Sequence, residues 1–270
     1  MRVAVAQIVS STDKAANLAL VERHTRQAAE AGAALVVFPE ATMASFATSS
    51  RRAAEPLDGP WATRVREIAA GAGIGIIAGM FETSGHEQPY NTLLATGPGV
   101  VEAAYRKLHM YDAWGFTESD HILPGASPVT VDFAGVRLGL ATCYDVRFPA
   151  LFQHYGRDGA DVVVLPASWA GGPGKADQFV TLCRARAMDS TCFVVAAAQA
   201  DPSTVGAEVK PGSPTGVGHS VVVDPYGKTL AEAGEGPELL VVDLDVALVE
   251  KARKQVPVLI NARFSSELRT

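Results

Sequence analysis

Short apolar runs alternate with amphipathic ones along the chain. VAVAQI (3–8) alternates and is rich in β-branched residues, which predicts a strand. Ser11, Thr12 and Asp13 then offer helix caps. The run from there to Ala31 keeps Leu18, Val21, Thr25, Ala28 and Ala29 on one side, and Gly32 stops it. ALVVF (34–38) is a continuously apolar strand that ends at Pro39-Glu40. A helix from Trp61 to Ala70 leads into the strand IGIIAGM (74–80). A hairpin follows, NTLLATG, the turn Pro98-Gly99, then VVEAAYRK.

The second half replays this order. VRLGLAT (136–142) is a strand, and a helix follows around Ala150 to Tyr155. DVVVLPAS (161–168) matches ALVVFPEA, with a proline closing each apolar run. A helix around Gln178 to Asp189 precedes the strand TCFVVAAAQ (191–199). The hairpin HSVVVDPYGKTLAEAG then turns at Pro225-Tyr226-Gly227. The β-α-β-α-β-hairpin plan therefore occurs twice, an internal duplication with a period of about half the protein. Parallel-type apolar strands in two similar halves point to an α/β protein with two sheets face to face and helices outside. One doubly wound sheet fits the pattern as well.

Composition narrows the class. Of 270 residues 48% are apolar and 19% charged, so neither disorder nor a fibrous repeat is in question. With 23 basic against 29 acidic residues and no basic run, nucleic acid is not an expected partner. No apolar stretch reaches membrane-spanning length, so no membrane partner is expected either. Met1-Arg2 runs straight into a strand without signal-peptide architecture, and the expected location is cytoplasmic. Three widely spaced cysteines, Cys143, Cys183 and Cys192, make no disulfide framework. Histidines form no ligand cluster, and Gly71 to Gly75 follows a helix rather than a strand, so neither metal nor organic cofactor is implied.

In α/β sheets, functional groups gather where strands end. Glu40, Lys107 and Cys143 each follow an apolar strand, and Glu118 lies in the loop WGFTESD. Taken singly, each has a bland reading: a cap, a solvated lysine, a small core hydrophobe. Cys183 and Cys192 fit that core reading well. Together the residues carry chemistry. A cysteine is mostly thiol at neutral pH and needs a base or cation beside it. Glu40 can supply the base and Lys107 the positive charge, which equips Cys143 for attack on a carbonyl carbon.

FPEA (38–41), YRKLHMYD (105–112) and CYDVRFPALF (143–152) resemble the three signature blocks of the nitrilase, or carbon–nitrogen hydrolase, superfamily, in its order and at fitting spacing. FTES (116–119) and RARAMDSTCFVVAAAQ (184–199) resemble further blocks of its Nit-type amidase branch, that of ω-amidases and deaminated glutathione amidases. The resemblance spans nearly the whole chain and implies a single domain over 1–270. It implies a four-layer α-β-β-α sandwich with pseudo-two-fold duplication and a Glu-Lys-Cys triad. On it, Glu40 is general base and acid, Lys107 holds the oxyanion, and Cys143 is the nucleophile. Glu118 orients the site, and the Tyr144 backbone N–H is a second oxyanion donor. A homodimer or higher homo-oligomer, paired through the helices flanking the cysteine strand, is also implied.

The implied activity is hydrolysis of a small linear amide to acid and ammonia through a cysteine thioester. Arg147 resembles the arginine with which Nit-type amidases grip a substrate carboxylate; pairing with an acid such as Asp145 is the structural alternative. An N-carbamoyl amino acid hydrolase would use the same residues. A nitrilase proper fits less well, because CYDVRF departs from its CWE-type sequence. A Cys-His hydrolase using His109 and a non-catalytic binding relative complete the alternatives. The loops HMYDAWGFT (109–117) and AGGPGKADQF (170–179) depart from the branch and are expected to rim the pocket. The tail NARFSSELRT (261–270) lacks the branch's frequent ending.

Overall fold

The computed structural model describes residues 1–207 and 214–263; most of the tail singled out above lies outside them. The first sheet carries β1 (Arg2–Gln7), β2 (Leu35–Val37), β3 (Gly75–Glu82), β4 (Tyr90–Thr96) and β5 (Ala103–Arg106). A two-stranded ribbon, β6 (Asp112–Ala113) with β7 (Phe116–Thr117), stands apart. The second sheet carries β8 (Thr130–Phe133), β9 (Val136–Leu140), β10 (Val162–Ala167), β11 (Phe193–Ala198), β12 (Val221–Val223) and β13 (Thr229–Glu232). The last strand, β14 (Glu238–Asp243), returns to the first sheet and pairs antiparallel with β1. The orders are β14-β1-β2-β3-β4-β5 and β13-β12-β11-β10-β9-β8.

Each sheet thus has an antiparallel edge strand, three parallel strands, then an antiparallel hairpin. The duplication read from the pattern is real, and there are two sheets, not one. The central parallel strands are apolar throughout because both faces are covered: every residue of β3, β10 and β11 is buried.

Side chains alternate between the two coverings. Val3, Val5, Val37 and Ile77 of the first sheet meet Leu138, Leu140, Val164 and Val195 of the second in the central core. Ala4, Ala6, Val36 and Ile76 face the other way, under Val21, Ala28, Trp61 and Val65 of α1 (Lys14–Glu30) and α3 (Pro60–Ala72); the one-turn α2 (Ser50–Ala53) lies between these helices in sequence. On the second sheet, Val163, Leu165, Val194 and Ala196 pack under Leu151, Tyr155, Phe179 and Cys183 of α4 (Pro149–Arg157) and α5 (Lys175–Ser190). The architecture is therefore an α-β-β-α sandwich. Asp13 caps α1 by accepting from the N–H groups of Ala15 and Ala16, as the sequence predicts. The chain continues into α6 (Ala247–Gln255) and α7 (Val258–Asn261). Among the described residues no helix is long and apolar enough to cross a membrane.

Candidate active site

The parallel strands of both sheets end at the same place, so loops from opposite halves meet there. Glu40 follows β2 on a turn whose next residue, Ala41, has φ of 56°. Strand β3 runs so close beneath this turn that a Cβ on Gly79 would lie 2.7 Å from the Ala41 nitrogen and 2.9 Å from the Glu40 Cα. Glycine inside the apolar run IGIIAGM is the trace of that approach. Gly79→Ala should therefore cost about 1–3 kcal/mol of stability by overpacking. By displacing Glu40 it should also slow turnover on the order of a hundredfold. Urea unfolding and initial rates read the two effects; an unimpaired rate would mean that this turn does not set Glu40.

Four side chains singled out from the sequence converge. Glu40, Lys107, Glu118 and Cys143 are only 1%, 2%, 3% and 6% exposed, which excludes solvated caps and a surface lysine. Lys107, just past β5, places its Nζ 3.1 Å from Glu40 Oε1 and 2.7 Å from Glu118 Oε2. Glu118, in a 3₁₀ turn after β7, also accepts from the Tyr111 N–H at 2.7 Å. Cys143 follows β9, with φ of 48°, at the head of a 3₁₀ turn over Cys143–Arg147 closed by a capping box between Thr142 and Asp145. This left-handed backbone turns the thiol out of the strand, where it donates to the Ser168 carbonyl at 3.8 Å and lies on the cleft that Glu40 and Lys107 also line. Tyr144 is the second residue of the same turn.

Two partners, Asn91 and the Ser168 N–H, are absent from the sequence reading, and a third, Asp145, enters it only as a partner for Arg147. Asn91, at the start of β4, donates to Glu40 at 2.7 Å and to Glu118 at 3.3 Å, holding the carboxylates on either side of the lysine. The Ser168 N–H, just past β10, donates to Glu40 Oε2 at 2.8 Å and so ties the first sheet's glutamate to the second sheet. Asp145 is fully buried and accepts from Tyr105 Oη, the Thr142 N–H and the His109 N–H at 2.7, 2.7 and 3.1 Å. It thereby fixes the cysteine turn to the strand that delivers Lys107. A buried polar residue beside an apolar strand was the available signal for Asn91 and Asp145. The backbone of Ser168 left none.

Burial pushes the Glu40 carboxyl above its usual range, and Lys107 only partly offsets this. Burial and then the Glu40 charge push the Cys143 thiol well up, against the pull of Lys107. Burial works to lower Lys107, yet Glu118 and Glu40 more than reverse it and hold the ammonium charged. The resting centre is therefore a neutral thiol beside a carboxyl whose proton affinity burial has raised, with a fixed cation at that carboxyl. Cys183 and Cys192 are buried in the core outside the second sheet, each with its thiol pushed up by burial, as small hydrophobes.

His109 is not placed as a base for the thiol. Its Nδ1 pairs with Asp145 at 2.7 Å and its ring stacks on Phe148 at 3.7 Å. Arg147 is not paired with Asp145; its Nη2 donates to Gln178 at 3.0 Å, and its guanidinium lies 5.1 Å from the Trp114 and Trp169 ring centroids. Above the cysteine the cleft is walled by Phe46, Tyr111, Trp114, Phe116, Trp169 and Lys175. The two loops flagged in the sequence do form its rim.

Two sheets thus deliver a buried glutamate, lysine and cysteine to one cleft, and the chain belongs to the carbon–nitrogen hydrolase family, whose model matches residues 2–254. A hydrolase of Mycobacterium tuberculosis is 52% identical over 266 residues, 97% of this chain and 95% of that protein. The deaminated glutathione amidase of Escherichia coli O157:H7 is 36% identical over 88% of each chain. A mutant amidase from Nesterenkonia sp. AN1, showing covalent addition of the acetamide moiety of fluoroacetamide at its active-site cysteine, superposes with a TM-score of 0.80. It is 28% identical, covering 97% of this chain and 94% of that one.

Proposed function

We propose that the protein is a thiol-dependent amidase that hydrolyses a small, carboxylate-bearing linear amide to an acid and ammonia through a thioester on Cys143. The observation that carries this is the buried Glu40–Lys107 pair, 3.1 Å apart, on the same cleft as the buried Cys143 thiol. Glu40 takes the thiol proton as the sulfur attacks the amide carbon. The oxyanion forms against the Lys107 ammonium and the Tyr144 backbone N–H. Glu40 then protonates the nitrogen, the C–N bond breaks, and ammonia leaves the thioester behind. The same carboxylate deprotonates water for attack on the acyl carbon, and its proton returns to sulfur as the C–S bond breaks. Glu118 and Asn91 take no proton; they hold Lys107 and Glu40 in register.

Basic groups, Lys175 on the cleft surface and Arg147 behind its Trp169 wall, support a carboxylate on the substrate, and the deaminated glutathione amidases among the relatives suit it. An ammonia-release screen over ω-amides of 2-oxo acids, simple amides, N-carbamoyl amino acids and nitriles tests the reading. Ammonia from carboxylated amides, without carbon dioxide, is expected. Carbon dioxide beside ammonia would replace it with a carbamoyl amino acid hydrolase, and turnover of nitriles alone would overturn it. Val258 and the strongly exposed Ile260 of α7, which packs on α4 and α5, support pairing of two copies on that face.

A further inference from the structure

Two lysines line the cleft, and they differ in one respect. Lys107 is saturated by two carboxylates, whereas Lys175 makes no ion pair among the described residues. Lys175 opens α5, at the end of the run GGPGK. Gly172 and Gly174 have φ of 137° and 69°, so this path to the cleft is one that glycine takes readily. The Lys175 N–H donates to the Gly172 carbonyl at 3.1 Å, and its carbonyl accepts from Trp169 Nε1 at 2.9 Å. Its Nζ lies 3.2 Å from the centroid of the Trp114 ring. Trp114 itself is 64% exposed, at the tip of the β6–β7 ribbon.

Arg147 also lies against the Trp114 and Trp169 rings, 5.1 Å from each centroid, but is not itself on the cleft surface. Burial lowers the Lys175 ammonium's proton affinity, and the Arg147 charge lowers it further, so the two cations repel across this wall. Like charges held together without an acid are stabilised when an anion enters between or beside them. Aromatic faces orient a cation but do not neutralise it.

We propose that Lys175 is the residue that meets the substrate's carboxylate in the cleft, with Arg147 behind it reinforcing the positive wall. This rests on the carboxylate-bearing amide proposed above. It assigns amide selectivity to the 170–179 loop and to a lysine rather than to Arg147 alone.

The test uses two amides of equal length, succinamate and butyramide, with the full-length wild type, Lys175→Met and Lys175→Arg. Wild type should favour succinamate. In Lys175→Met the succinamate/butyramide ratio of kcat/KM should fall about ten- to a hundredfold, the loss of one hydrogen bond to a charged group, and it should fall through KM. Lys175→Arg should retain most of the ratio. Equal losses on both amides would mean that Lys175 only packs on Trp114, and would overturn the assignment. A wild type that favours succinamate while Lys175→Met keeps the full preference overturns it too, leaving the carboxylated-amide reading intact. A wild type without preference removes both.

Discussion

Replacing Cys143 by alanine should reduce amide hydrolysis on the order of a millionfold, to background. Alanine keeps the Cβ and therefore the same left-handed turn, and the sulfur's carbonyl contact, at 3.8 Å from Ser168, is loose. The variant should accordingly fold with stability within about 1 kcal/mol of wild type. Without the sulfur no thioester can form, and Glu40 has only water to activate against an unactivated amide. Intact-mass measurement after acid quench checks the chemistry directly. Wild type should carry the acyl group of its substrate, and Cys143→Ala should carry none. The variant retains Cys183 and Cys192, both buried in the second sheet's outer core, so adventitious acylation would still show on them. An adduct or substantial turnover surviving in Cys143→Ala would move the nucleophile elsewhere.

Much of this was legible in the sequence, for a physical reason. Strands covered on both faces must be apolar at nearly every position, and the runs at 34–38, 161–168 and 191–199 announce themselves that way. What covers them is not in the run: a helix and a second sheet demand the same residues, so one sheet or two could not be decided. Strands β8 and β14 escaped the reading. In β14 only Leu240 is buried, and its partner β1 lies at the other end of the chain, from Arg2 opposite Asp243 to Gln7 opposite Glu238. An edge strand gains little from apolar alternation and so shows little of it.

The site divides along the same line. Glu40, Lys107 and Cys143 stand at strand ends, and their motifs mark them. Asn91 and Asp145 act through geometry that no spacing records. Asp145 was foreseen only as a partner for Arg147, yet its acceptors serve Tyr105, His109 and Thr142. Those three bonds bind the Lys107 segment to the cysteine turn across the two halves. A duplicated fold can assemble one centre from both copies only if something fixes their relative position, and Asp145 and the Ser168 N–H do so here.

Lys107→Met should lower kcat/KM about a hundredfold to a thousandfold, since in the proposed mechanism it removes an oxyanion donor while nearly preserving side-chain volume. It should also cost about 3–5 kcal/mol of stability, because a buried ion cluster loses its cation and keeps its carboxylates. Glu40 and Glu118 would then face one another across Asn91, whose amide donates to both. Burial and the Glu118 charge already raise the Glu40 carboxyl, and Lys107 is the foremost of the groups that hold it down. Its removal must therefore shift Glu40 further up, and the base form must appear at higher pH. The acid limb of kcat/KM, which reports the free enzyme's base, should lie above the ordinary carboxylate range in wild type and move higher still in Lys107→Met. Loss of rate and the upward move should accompany each other, so the deficit is largest on the acid side and shrinks as pH rises. An acid limb that stays in place, with turnover within tenfold of wild type, would mean that Lys107 neither tunes Glu40 nor holds the oxyanion.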